Sequence, residues 1–367
     1  MKFKYLLTLL CGTFLVANSS FAPNSDCKKC HPDIYKEYET SMHRKSTVFL
    51  DPIHKAIWDK HPLKSKKEQY KCAKCHTPTA NNLSDMLGKD TKGIPDIENS
   101  THTEGILCTY CHRIESVQYG NKSNTNKISQ DKEYYFGNIR GKQRNTFHSS
   151  TNDNTHFMNG GVCMGCHSHK KNKKNLDVCI TGSKNENSKE NCITCHMPKV
   201  TGDISTKRDT LRHSFHGFPG TNSNQDMLAK YIHIHMKNDA EKFHISIYNE
   251  SPHDMLLHPL RLTKLLVRVE HNKIVKDLKQ TVFARTIGRD TTPLPPWLAS
   301  EVIKNTMIKA DETRVITYKK ALKKGDKVTV TLGYYLVNPK LLKKFGLEKE
   351  GNAGTFKILK QHIFTVK

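Results

Sequence analysis

Ten of the twelve cysteines fall in five pairs spaced Cys-x-x-Cys, and a histidine directly follows each pair. The groups are Cys27, Cys30 and His31; Cys72, Cys75 and His76; Cys108, Cys111 and His112; Cys163, Cys166 and His167; and Cys192, Cys195 and His196. Two thiols at this spacing can reach the vinyl groups along one edge of a haem, and the adjoining histidine can then take the iron from one face. A single motif of this kind also fits a redox dithiol or half of a zinc site. Five of them behind an apparent export signal imply five covalently attached haems c.

The face opposite each motif histidine decides what an iron there can do. A second histidine closes the iron and suits it to electron transfer, whereas an open face can bind and transform a small molecule. Of 21 histidines, sixteen remain once the five motif histidines are set aside (21 − 5). His43 follows the first motif, His102 precedes the third, His148 and His156 precede the fourth, and His213 and His216 follow the fifth. With His253, and His258 beside it in the C-terminal part, these are the candidate distal ligands. His54, His61, His169, His271 and His362 rank below them, and His233 and His235 alternate along a strand as ordinary sheet residues. Met158, Met164 and Met197 also lie near motifs, but no pattern separates them from core methionines, so histidine is the expected ligand. Cys179 is left unpaired; a buried thiol is the expectation, with an intermolecular disulfide or a reactive site as alternatives.

The elements that position these residues change character along the chain. The motif-bearing part is rich in Asn, Ser, Gly and Lys and too poor in apolar residues for a core of its own, so porphyrin faces must supply much of its buried surface. Asp33 to Tyr38 and Pro52 to Trp58 read as short helices, and Ser116 to Arg144 as a polar surface loop or hairpin. After Gly220 the pattern alternates with period two, as in Phe243-His-Ile-Ser-Ile-Tyr248 and Val328-Thr-Val-Thr-Leu332, which predicts short strands. The expected fold class is α+β: a helical and loop multihaem domain over residues 23–220, then a β-sandwich-like domain over 221–367 without haem attachment motifs.

The first residues, a basic start followed by an apolar run from Tyr5 to Ala17, predict a signal peptide over 1–22 and hence export to the periplasm of a Gram-negative bacterium. The run is shorter than the roughly 20 residues that span a bilayer, and Cys11 lacks the small residue that precedes a lipidated cysteine. Formal net charge is +24. Export argues against nucleic acid as the partner, and the propionates of five haems would offset about ten positive charges. The remaining lysine-rich surface suits an acidic redox partner or an anionic substrate.

The segment Cys27-Lys-Lys-Cys-His-Pro-Asp-Ile-Tyr-Lys-Glu-Tyr-Glu-Thr-Ser-Met-His43 resembles the first haem segment of multihaem cytochromes of the cytochrome c-554 type. Glu104-Gly-Ile-Leu-Cys-Thr-Tyr-Cys-His112 and Cys192-Ile-Thr-Cys-His-Met-Pro198 are similar to further segments of that family. The C-terminal part resembles a β-domain appended to such cytochromes, with an Asn-x-x-Gly-His turn followed by an arginine. Asn249, His253 and Arg261 fit that turn, while Pro252 stands where glycine is expected and its Pro-Thr-Gly is missing.

The resemblance implies electron transfer between a quinol-side donor, such as a quinol dehydrogenase, and a terminal acceptor or reductase. The alternative is an oxidoreductase with one open haem, acting on hydroxylamine, nitrite or a sulfur oxyanion. Pentahaem nitrite reductases carry lysine in the catalytic motif, whereas all five motifs here end in histidine. A third reading stacks the chain into a conductive assembly through the β-domain. The oligomeric state is not legible in the sequence.

Overall fold

In the computed structural model, residues 21–66, 68–88, 91–138, 143–144, 147–181 and 192–367 are described. The expected signal peptide lies almost wholly outside the described residues. Each attachment motif wraps a single helical turn. The backbone N–H of the motif histidine donates to the carbonyl of the first cysteine for His31 (2.9 Å), His76 (3.0 Å), His112 (2.9 Å) and His167 (2.8 Å), while the fifth motif forms the helix Cys192–His196. One turn brings residues i, i+3 and i+4 to the same face. Both sulfurs and the imidazole of each motif therefore point the same way.

Two longer helices sit where the sequence places them. Pro32–Thr40 starts on a proline, which suits a first turn that needs no N–H. Pro52–Asp59 is capped by Asp51, whose Oδ1 accepts from the N–H groups of Ile53 (2.9 Å) and His54 (3.2 Å). The polar stretch after residue 114 holds more sheet than expected. Ile114–Gln118 pairs antiparallel with Thr125–Ile128, and Tyr134–Phe136 runs parallel to Ser149–Thr151. The apolar clusters of this region are small, one around Trp58, Tyr70 and Met86 and another around Leu107, Tyr110 and Val162.

The C-terminal region is built differently. Ile232–Asn238, Phe243–Asn249 and Thr313–Tyr318 form one antiparallel sheet, in which Ile234 pairs with Ile247. Leu262–His271 and Lys327–Tyr335 are the inner strands of a second, flanked by Ile274–Asp277, Thr281–Phe283 and Lys357–Thr365. Ile245 and Ile247 of the first sheet and Leu265, Val330 and Leu332 of the second belong to one core cluster, as period-two alternation requires. Arg285–Arg289 with Thr292–Pro293 and Glu301–Asn305 forms a third, small sheet. The fold is α+β, with its β part divided among several small antiparallel sheets.

The two regions lock together. Ile53, Ala56 and Ile57 pack against Leu260, Val337 and Phe345, and the Asn172 amide donates to the carbonyls of Pro296 (2.6 Å) and Ala299 (2.7 Å). No helix among the described residues is long and apolar enough to cross a membrane.

Candidate cofactor cavity

A cavity of about 3110 Å³ runs through the motif-bearing region, and all ten paired cysteines and all five motif histidines line it. An ordinary small-molecule pocket is roughly 300–1,000 Å³, so this one has room for several large groups. The paired cysteines form no disulfides. Sulfurs of different motifs lie side by side: Cys27 by Cys108, Cys75 by Cys166 and Cys163 by Cys192. In a loaded protein these thiols would be thioethers. The first motif thus adjoins the third, the second adjoins the fourth, and the fourth adjoins the fifth.

Four motif histidines face a second imidazole. Ring centres are 6.3 Å apart for His31 and His148, 6.2 Å for His112 and His216, and 6.2 Å for His196 and His253, with interplanar angles of 29°, 15° and 25°. His167 and His43 are 5.8 Å apart at 71°. Two imidazoles bound to one metal through bonds of about 2 Å have centres about 6 Å apart. Each pair therefore leaves the space that one iron takes.

The hydrogen bonds of these rings agree with that spacing. A histidine that donates from Nδ1 to a carbonyl keeps Nε2 bare, the form a metal needs. Nδ1 of His31 donates to Ile204 O (2.6 Å), of His76 to Ser46 O (2.9 Å), of His112 to Phe136 O (2.6 Å) and of His196 to Pro219 O (2.7 Å). Among the facing rings, His216 donates to Ser214 O (2.6 Å) and His253 to Asp254 O (3.0 Å). Burial lowers the pKa of His76, His112, His167 and His196, and that of His43 and His216 to about 3. The residues present fit haem c: paired thiols, imidazoles in facing pairs, and a volume large enough for several large groups.

The second motif differs from the rest. The ring nearest His76 is His54, at only 4.1 Å between centres, too close for a metal to fit between them. Nδ1 of His54 donates to the Ser46 carbonyl (2.9 Å), and its Nε2 accepts from the Tyr70 hydroxyl (3.0 Å). His54 does not line the cavity, whereas His258 does.

Three of the eight distal candidates are not brought to a motif histidine. His102 accepts the Asp96 N–H at Nδ1 (3.0 Å) and donates from Nε2 to Asn82 (2.8 Å), so both nitrogens are engaged away from the cavity. His213 donates to the Gly202 carbonyl (3.0 Å) and to Glu37 (2.9 Å). Burial opposes its protonation, but the carbonyl and the carboxylate outweigh burial and raise its pKa. Glu37 also accepts the His216 N–H (2.8 Å), so His213 supports a facing residue without being one. His156 lines the cavity with Nε2 buried and unpartnered.

Local chemistry explains how two of the facing residues are held. Gly105, at φ +74°, passes so close to the His43 and Arg44 carbonyls that any Cβ would strike them, and the next N–H, that of Ile106, donates to His43 O (3.0 Å). His253 sits in a turn tied by the Asn249 amide, which donates to the His253 and Lys309 carbonyls at 3.0 and 2.9 Å. The Asn249 side chain holds this turn with proline at position 252.

Cys179 lies on the strand Asp177–Ile180 and is open to the cavity. Dense surroundings push its thiol pKa up, with Cys75, Lys170, Arg285 and Arg261 in electrostatic reach. It is a cavity-wall thiol where a buried one was expected.

Residues 26–113 match the family described as cytochrome c554 and c-prime. That match, with the fold, supports a multihaem c-type cytochrome. It is similar in structure to a penta-heme cytochrome c552 from Thermochromatium tepidum, with TM-score 0.73 and 22% identity over 95% of this chain and 99% of that one. That likeness is one of fold. A structural-genomics target overlaps 37% of this chain and 87% of its own at 13% identity and TM-score 0.18. No curated protein matches the chain.

Proposed function

We propose that this cytochrome is an electron carrier holding five haems, each attached at one Cys-x-x-Cys-His motif. The observation that carries the reading is the set of four facing imidazole pairs, since an iron held on both faces transfers electrons and little else. His31 with His148, His112 with His216, His167 with His43 and His196 with His253 would be the ligand pairs, and His76 would hold the remaining iron. When bound, the haems would supply reversible one-electron chemistry, and the neighbouring motifs would hold them near one another. The neighbouring sulfurs give a route from the first motif through the third to the fourth, branching there to the second and fifth. The third and fourth motifs are linked by proximity, Cys111 lying in electrostatic reach of Cys163 and Cys166. Exported to the periplasm, such a chain would link a quinol-side donor to a terminal acceptor, and its lysine-rich surface would steer an acidic partner.

To test this, the fully reduced protein is mixed anaerobically with hydroxylamine, nitrite or sulfite, and separately with oxidised redox dyes. A carrier exchanges electrons rapidly with the dyes and reacts with the small molecules no faster than free haem does. Fast, saturable oxidation by one of the three would contradict the carrier reading.

The geometry at His76 favours a second reading alongside the first. With His54 packed against it and bonded elsewhere, the iron there lacks a facing histidine and is the one that could bind an exogenous molecule. Carbon monoxide binding to one haem per chain supports this; no binding removes it.

A further inference from the structure

The wall around the second motif is cationic in a way that electron transfer does not require. His258 lies in electrostatic reach of His76, Arg261 and Arg285, and Arg261 and Arg285 both lie in reach of Cys179. Arg261 lines the cavity and donates from Nη2 to Thr221 Oγ1 at 3.0 Å. Arg285 is 5% exposed and donates from Nη2 to the Asp177 carbonyl at 2.6 Å, while its Nη1 is buried with no partner. Among the described residues neither arginine forms an ion pair; the Asp177 carboxylate offsets part of the charge, and Lys170 adds to it. Buried guanidinium groups are costly unless an anion lies beside them, so each calls for a negatively charged group in the loaded protein.

The tautomer of His258 points the same way. Its Nδ1 accepts the Leu260 N–H at 3.3 Å, which places the ring proton on Nε2. This is the reverse of the facing histidines His216 and His253, which donate from Nδ1. His258 thus presents an N–H donor where those rings present a lone pair.

We propose that His258 and Arg261, backed by Arg285, form a binding site for a small oxyanion at the iron that His76 would hold. The inference rests on the reading of that iron as open. Charge-assisted hydrogen bonds from the guanidinium and the Nε2–H would hold the anion beside the metal, giving the exogenous ligand a defined class: nitrite or a sulfur oxyanion of similar size.

The test uses the haem-loaded, full-length protein. The ferric form is titrated with azide and nitrite, following the Soret and charge-transfer bands, and the ferrous form with carbon monoxide. The wild type should bind all three at one haem. Arg261→Gln and His258→Leu should each weaken azide and nitrite by about tenfold, the loss of one hydrogen bond to a charged group, and leave neutral carbon monoxide within about twofold. Arg261→Lys, which keeps the charge, should recover most of the affinity. Should Arg261→Gln lose haem or fail to fold, His258→Leu and Arg261→Lys carry the test. No ligand binding in the wild type removes the open iron beneath the proposal. Carbon monoxide binding with anion affinity unchanged in both variants overturns the anion site alone. A shift in that haem's potential at unchanged anion affinity would assign Arg261 to a haem propionate, and also overturns it.

Discussion

The motif-bearing region and the C-terminal region share one chain but are built on opposite principles. In the C-terminal region Phe243, Ile245, Leu265, Val328 and Val330 are fully buried and meet in a single protein core. The motif-bearing region is organised around a cavity, with short helical turns and two small apolar clusters at its edges. One half supplies its own interior; the other leaves it to cofactors. The contact between them extends to the cavity, because His253, Arg261 and His258 line it from the C-terminal side.

The largest effect should come from withholding haem. Chain made without haem attachment should lose protection from proteolysis across residues 24–220, while the later strands stay protected. Equal protection of both regions would break the contrast. Next in size is a cavity in the β core. Leu265→Ala should cost about 2–5 kcal/mol, read by denaturant titration of a cooperative transition assigned to the C-terminal region, with little change in the haem spectrum.

Smaller and more local, Gly105→Ala forces a Cβ against backbone at a left-handed position, a strain of about 1–3 kcal/mol. It should disturb the one haem that His43 would serve, visible as the loss of a single low-spin signal. The link between Glu37 and His213 should respond to pH. A histidine with a raised folded pKa stabilises below its unfolded pKa and loses that contribution as pH rises through the folded one. The stability advantage of the wild type over Glu37→Gln should therefore shrink as the pH is raised through and above neutrality. A gap that grew with pH would contradict the pairing. At the small end, the exposed Arg268–Asp277 pair should leave thermal stability unchanged on Asp277→Asn.

Much of this was legible in the residues. The motifs need only local spacing, and a single helical turn delivers it; the strands after Gly220 follow from alternation. Distal pairing is a different matter, because it joins residues far apart in sequence, as with His31 and His148. Proximity to a motif selected His43, His148 and His216, but it selected His102 and His213 equally. Those two are satisfied by Asn82 and the Asp96 N–H, and by Glu37 and Gly202, partners that only the fold brings near. His253 was harder to read because Pro252 breaks the expected turn, whereas the Asn249 side chain does the holding. Nothing local marked His258 as lying near the second motif, or His54 as packed against His76. The divided β-sheets, too, depend on long-range pairing that alternation leaves open.

The distinction between His76 and the other four motif histidines is the centre of the account, and counting spin states tests it most directly. Low-temperature electron paramagnetic resonance of the ferric protein, with carbon monoxide stoichiometry of the ferrous form, should give four low-spin haems and one high-spin haem that binds carbon monoxide. Five low-spin haems inert to carbon monoxide would contradict it.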